Sequence, residues 1–414
     1  MDNMKAEKPG AQGPAGFLDA PRKMPIVGLA LTGFLMMTLI YASVYTVAGI
    51  YTVPVTETLG GTRAAFNLHL SIFNISCIFG SLLLGHLLRV FGMRRLMTMA
   101  ALCAGACFFG YSVTRAVWQF YPISALIGFC VVVLGAAGVS ILINENVPAS
   151  SRGTVMGIVM SGSGLGGVVL TPVMSRINET VGWRASYRLT AVLVLLLVPM
   201  ILAFVRNRQS ASGEEDDDAG QGAGAILREK GIPLMLFCAV MLMMIGIVTT
   251  GFNSSIHPYA RDIGMTETRA AFMVSLASAS LMAGKILMGT FCGRFGARTG
   301  FAAVGAMLML SQLLAFSAYQ AALLTVPAMV LFGFGNSLPT VVGPLFVGDL
   351  YGKERYSKIA GVFFAFVFLG NAIGPYTAGF TFDMSGHYKL FVLICAGLGL
   401  LLTAGGLAAR RRGR

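Results

Sequence analysis

The sequence predicts an all-α membrane protein, with twelve transmembrane helices arranged as two six-helix, pseudo-symmetric bundles. Three observations carry this. Apolar residues fill 56% of 414 positions and charged residues only 11%, whereas a soluble domain has about a quarter charged. The charges are clustered, and between clusters run continuous apolar stretches of roughly 20 residues, enough to cross a hydrocarbon core of about 30 Å. A single polar segment divides these stretches six and six. In lipid only helices and closed barrels satisfy their own backbone groups, and the stretches do not alternate as barrel strands do.

Spans are expected near 25–50, 66–88, 96–114, 119–143, 153–176, 187–205, 232–254, 270–291, 300–318, 322–346, 359–381 and 388–408. Residues 1–24 are Gly/Pro/Ala-rich and charged, with no apolar core, and read as a disordered tail and not a signal peptide. Residues 25–205 form the N-terminal bundle and 232–408 the C-terminal one. Between them, 206–231 (RNRQSASGEEDDDAGQGAGAILREKG) is an acidic, Gly-rich linker, and 409–414 is a basic tail.

The net charge of +13 is a topology signal and not a nucleic-acid signature. Alternating sides span by span puts 21 of the 30 Lys/Arg on the side of the linker and termini, and eight on the other. Lysine and arginine accumulate on the cytoplasmic side. Both termini and the linker are therefore expected in the cytoplasm, and the chain in a bacterial inner membrane. The seven cysteines all fall in or beside apolar spans, with no CxxC or Cys/His cluster, so no metal or disulfide framework is expected.

The halves repeat each other. Thr62-Arg63-Ala64-Ala65-Phe66 opens the second span and Thr268-Arg269-Ala270-Ala271-Phe272 the eighth. Gly85 precedes Phe91-Gly92 as Gly289 precedes Phe295-Gly296, at an offset of 204. Parallel repeats of this kind hold a substrate at their interface near mid-membrane. The stretch Gly85-His86-Leu87-Leu88-Arg89-Val90-Phe91-Gly92-Met93-Arg94-Arg95 resembles the loop signature of the major facilitator superfamily. Arg89 stands where that family usually has aspartate, and Gly293 does so in the second copy, beside Arg294. The resemblance covers residues 25–408 and implies the major facilitator fold. It also implies gating roles for Gly85, Arg89, Gly92, Arg94, Arg95, Gly289 and Arg294.

A second signature, Arg152-Gly153-Thr154-Val155-Met156-Gly157 leading into Ser161-Gly162-Ser163-Gly164-Leu165-Gly166-Gly167, is similar to the fifth span of the monocarboxylate and oxalate/formate branches. It adds Arg152 to the gating set and Ser161 to the substrate site. Independently of the family, closely spaced glycines let helix backbones approach in the membrane.

Lys285 is the one charge well inside an apolar span. An ionised lysine there costs about 2.5–3.5 kcal/mol on insertion scales, so such residues face a cavity or a partner. All 17 acids lie in loops, tails or span ends. A cation without a built-in anion suits an anionic cargo. Snorkelling toward the interface is the alternative. The resemblance adds that Lys285, four residues before Gly289, stands where the carboxylate-carrying branches have a substrate-binding arginine. The acid that precedes that arginine in animal carriers is replaced by Leu281, and Val367 falls where oxalate/formate exchangers carry a second cation. One cation favours a monoanion.

Other candidate cavity residues are Tyr41, Tyr45, Asn74, Asn253, Asn336 and Asn371, with His69 as a candidate proton acceptor because imidazole titrates near neutral pH. Tyr51 reads as an interfacial aromatic. Gly343-Pro344 and Gly374-Pro375 are expected helix-bending points. With no nucleophile–base pair, metal cluster or phosphate loop, the chain reads as a carrier and not an enzyme. It is expected to move a small anionic carboxylate in a lipid bilayer, to act as a monomer, to need no cofactor and to bind no nucleic acid. An exporter of amphipathic drugs or metabolites is the alternative.

Overall fold

The structure is a computed structural model. It describes residues 26–206, 232–351 and 353–411, and gives the backbone alone for 149–150, 152–154, 232, 353–361 and 410–411. The expected N-terminal tail, all but the first residue of the linker, and the Arg152 side chain lie outside the described residues.

Twelve helices are long and apolar enough to span a membrane among the described residues. They are α1 (Ile26–Tyr45), α2 (Arg63–Phe91), α3 (Met93–Val113), α4 (Val117–Asn146), α5 (Ala149–Thr180) and α6 (Trp183–Phe204) in the first half. In the second half are α7 (Ile232–Asp262), α8 (Glu267–Phe295), α9 (Ala297–Ser317), α10 (Ala322–Tyr351), α11 (Lys353–Ser385) and α12 (Lys389–Arg411). Each half has its own apolar core. One gathers Phe66, Phe120, Tyr111, Trp183 and Tyr187, the other Phe252, Phe301, Phe332, Phe346 and Phe391. Tyr51, expected at the interface, is buried and stacks on Tyr187 at 4.0 Å between centroids.

Local chemistry repeats between the halves. Thr62 caps α2 by accepting from the Ala65 N–H, and Thr266 caps α8 by accepting from the Arg269 N–H. Both helices have 29 residues and end at a glycine with positive φ, +73° at Gly92 and +88° at Gly296, where a side chain would be strained. The structural repeat therefore runs at an offset of 204, and the shared Thr-Arg-Ala-Ala-Phe pentapeptide lies two residues out of that register. Capping and turn geometry, not the matched letters, set the equivalence.

Three helices are irregular. α1 carries a π turn at Met37–Tyr41, breaks after Tyr45 and continues as a tight turn, Ala48–Tyr51, into Thr52–Leu59. α4 breaks at Gly135, and α10 has a π turn at Leu338–Val342; Gly135 and Pro339 are again 204 residues apart. The expected bend at Gly343-Pro344 thus begins one turn earlier. At Gly374-Pro375, α11 runs through without a break.

Prolines inside α5, α7 and α11 have a different effect. Pro172, Pro258 and Pro375 supply no N–H, so the carbonyls four residues earlier lose their helical donor. Those carbonyls belong to Val168, Ser254 and Asn371, and all three face the other half. Val168 O accepts from Ser275 Oγ at 3.4 Å and Asn371 O from Asn74 Nδ2 at 3.4 Å. Ser254 O occupies the space that a side chain at Gly49 would need.

The halves meet where α2 packs on α11, α5 on α8, and the end of α1 on α7. Asn67, Ser71 and Asn74 lie on one face of α2 and donate to the carbonyls of Pro375, Ala372 and Asn371 on α11. Ser175 on α5 donates to Glu267 on α8, where Glu267 also contacts His257 at 2.8 Å and Arg261 at 3.6 Å. These contacts close the face opposite the linker.

Candidate functional site

A cavity of about 480 Å³ lies between the halves at mid-membrane, lined from α1, α2, α4, α5, α7, α8, α10 and α11. Its wall on the closed side is buried, as at Thr249 and Asn371. Toward the linker, Leu82 lines it with 77% exposure. The cavity is thus open on the linker face.

The irregular helices shape this space. Tyr41 ends the π turn of α1, Ala136 and Ala137 follow the break in α4, and Pro339 and Thr340 lie in the π turn of α10; all line the cavity. Each irregularity interrupts the regular hydrogen-bond ladder beside the space a cargo would enter.

Lys285 reaches the cavity from α8, and its Nζ donates to Ser163 Oγ of α5 at 3.1 Å, across the two halves. Ser163 Oγ in turn donates to Met160 O at 3.0 Å. Among the described residues no carboxylate lies within ion-pair reach of Lys285. The approach depends on glycine. Side chains at Gly164 and Gly167 would meet Met282 and Ser278 of α8, so bare backbone lets α5 lie close enough for Ser163 to touch the lysine.

The structure places six of the eight proposed substrate residues on the cavity wall: Lys285, Tyr41, Tyr45, Asn253, Asn336 and Asn371. Asn253 Nδ2 donates to Tyr45 O at 2.6 Å, and Asn371 Oδ1 accepts from Thr250 Oγ1 at 2.7 Å, so both also tie the halves or helices together. Asn74 stands behind the wall, its Oδ1 accepting from the Tyr45 hydroxyl at 3.3 Å. Ser161 does not line the cavity and donates back to Ile158 O. Two residues along a helix turn a side chain about 200°, and Ser163 takes the place by the lysine.

His69 lies apart from the cavity. Its ring is caged by Phe66, Phe120 and Tyr111, with Nδ1 against the Phe66 carbonyl at 2.5 Å. Of the gating set, Arg89 is exposed in the last turn of α2, Arg95 is exposed, and Arg94 donates to Leu202 O at 2.6 Å within its own half. Arg298, equivalent to Arg94, donates to Ala409 O at 3.0 Å. Arg294 lies over Phe295. Gly85 and Gly289 lie within α2 and α8, on the linker side of the cavity.

Comparison with known proteins agrees with this architecture. A stretch of 231 residues, 54% of the chain, is 29% identical to an agnestins efflux protein of Paecilomyces divaricatus and spans 50% of its length. A stretch of 270 residues, 58% of the chain, is 22% identical to monocarboxylate transporter 12 of Rattus norvegicus and spans 56% of it. The chain thus matches about half the length of these curated relatives. The crystal structure of the nucleoside transporter NupG superposes with a TM-score of 0.75 over 93% of this chain and 98% of that one, at 16% identity. The sequence pattern of the Major Facilitator Superfamily matches residues 33–250 and again 236–413. Two matched halves, twelve spans and a cavity between pseudo-symmetric bundles lead to one conclusion: the chain belongs to the major facilitator superfamily.

Proposed function

We propose that the chain is a secondary active transporter that moves a small organic anion bearing a carboxylate, by alternating access. The observation that carries this is Lys285: a membrane-embedded cation between the halves, held by a neutral hydroxyl and lacking a counter-ion among the described residues. A carboxylate cargo would supply the missing charge. The monocarboxylate relative is consistent with such a cargo. The linker face is the cytoplasmic one, by the distribution of basic residues, so the cavity faces inward. Proton symport or exchange against another anion would drive the cycle.

The efflux relative and the apolar walls favour a second reading, export of an amphipathic compound. Uptake of radiolabelled carboxylates into proteoliposomes, with and without a pH gradient, separates the two. A charge-assisted hydrogen bond contributes about 1.5–3 kcal/mol, or roughly tenfold to hundredfold in affinity. Lys285→Ala and Lys285→Gln should abolish carboxylate uptake, while Lys285→Arg keeps part of it with altered selectivity. Normal carboxylate transport by Lys285→Ala would remove the anion-carrier reading and leave the exporter.

A further inference from the structure

The cavity is larger than a short carboxylate needs. Its volume of 480 Å³ is about three times that of an apolar protein void that takes up benzene. Its unengaged polar groups are few. Lys285 keeps two N–H groups beyond its bond to Ser163, and the Asn336 side chain on α10 has no partner among the described residues. α10 is held against α8 here, because a side chain at Gly284 would meet the Phe334 backbone. Several other polar groups on the wall are already committed: Thr250 to Asn371, Asn253 Nδ2 to Tyr45 O, and the Tyr45 hydroxyl to Asn74.

The remaining wall is apolar and partly aromatic. Val131 and Val132 of α4, Leu82 of α2, and Phe364 and Phe368 of α11 face the same space. On α1 the rings of Tyr41 and Tyr45 stack at 4.5 Å between centroids, 30° from parallel. The bonds from Tyr45 to Asn74, and from Asn253 to the Tyr45 carbonyl, hold this pair in place. The Tyr41 hydroxyl has no partner among the described residues.

We propose that the cargo is an aromatic monocarboxylate, with its carboxylate at Lys285 and Asn336 and its ring against the Tyr41–Tyr45 pair. This rests on the anion reading above and adds the body of the molecule. Acetate or lactate would use the charge and leave most of the cavity to water. A flat ring removes apolar wall from water and can stack in offset on Tyr41. A second carboxylate would find Val367 and the valines of α4 where it needs a cation.

The test is a competition assay on the full chain in liposomes, with labelled hydrocinnamate as probe and acetate, lactate, benzoate, phthalate and benzamide as competitors. Burial of a ring gives about tenfold to hundredfold in affinity, so benzoate should exceed acetate and lactate by that margin. Phthalate should bind at least about tenfold more weakly than benzoate. Tyr41→Phe should keep hydrocinnamate binding and Tyr41→Ala lose about threefold to tenfold. Acetate or lactate competing as well as benzoate, or phthalate matching it, would overturn the proposal. So would Tyr41→Ala behaving like Tyr41→Phe, with both eluting as the native protein does. Benzamide equal to benzoate would instead remove the anion reading, and with it the carboxylate half of this proposal.

Discussion

Asp383 of α11 caps the start of α2 in the other half: Oδ2 accepts from the Ala64 N–H at 2.8 Å and Oδ1 from the Arg63 N–H at 3.1 Å. The carboxylate meets the positive end of the helix dipole and two of its orphan donors at once. Arg63 folds over the Phe382 ring at 3.5 Å and donates to the Tyr388 hydroxyl at 3.1 Å. A side-chain cap contributes about 1 kcal/mol, so Asp383→Ala should shift the balance toward opening of this face by roughly fivefold. Spin labels at Thr62 and Met384, in a cysteine-free background, would report a larger long-distance population. An unchanged distance distribution would mean that the cap does not hold the face shut.

Pro375 offers a cleaner handle on the same interface, because the substitution adds a bond inside one helix and removes one between halves. In Pro375→Ala the new N–H can pair with Asn371 O, the acceptor now used by Asn74 Nδ2. Helix α11 should become no less stable to heat in detergent, while the same spin-label pair shows more opening. Polar contacts between membrane helices average about 0.6 kcal/mol, so the shift should be near threefold. A drop in melting temperature without opening would assign Pro375 to packing alone.

Close approach at Gly379 should be needed for closure. A Cβ there would stand 2.7 Å from the Ala64 Cα and N, and backbone cannot move aside as a flexible side chain can. Gly379→Val is expected to express and elute normally, yet lose transport because the face cannot shut. Gly157→Ala, where nothing lies within 4 Å, is the control and should transport as the native chain does. Equal transport by both would show that the α2–α11 contact is dispensable.

Orientation can be checked outside the helices. Gln320 is exposed in the turn between α9 and α10, on the face opposite the linker. With the linker cytoplasmic, a cysteine at 320 should react with an impermeant thiol reagent in intact cells. Protection until the cells are opened would invert the topology.

Hydropathy and charge made the spans, the two halves and the isolation of Lys285 legible, because crossing a bilayer demands long apolar helices and penalises an unpaired cation. The partner of that cation was not legible. Ser161 and Ser163 are alike by composition, and only the glycines at 164 and 167, which press α5 onto α8, say which one turns inward. His69 looked like a cavity residue, yet its neighbours Phe66, Phe120 and Tyr111 come from three helices that no local pattern joins. Asn67 and Ser71 gave no sign of bonding to carbonyls some 300 residues away. The break at Gly135 was equally silent, since a lone glycine in an apolar run need not interrupt a helix.

Among the described residues, the two faces of the protein are not equally provided for. Opposite the linker, Asp383 holds α2 and α11 together; on the linker face the family's acidic position is filled by exposed Arg89, which offers α11 no anion. If the chain cycles as proposed, an empty carrier would rest with its cavity toward the linker, and the slow leg of its cycle would be the return without cargo. Binding energy gained at Lys285 would have to release the Asp383 cap before the cavity could turn. Under that arrangement flux would depend on what waits on the far side: exchange of one cargo for another should outrun net movement, and a saturating pool of cargo on the linker side should accelerate entry from the other.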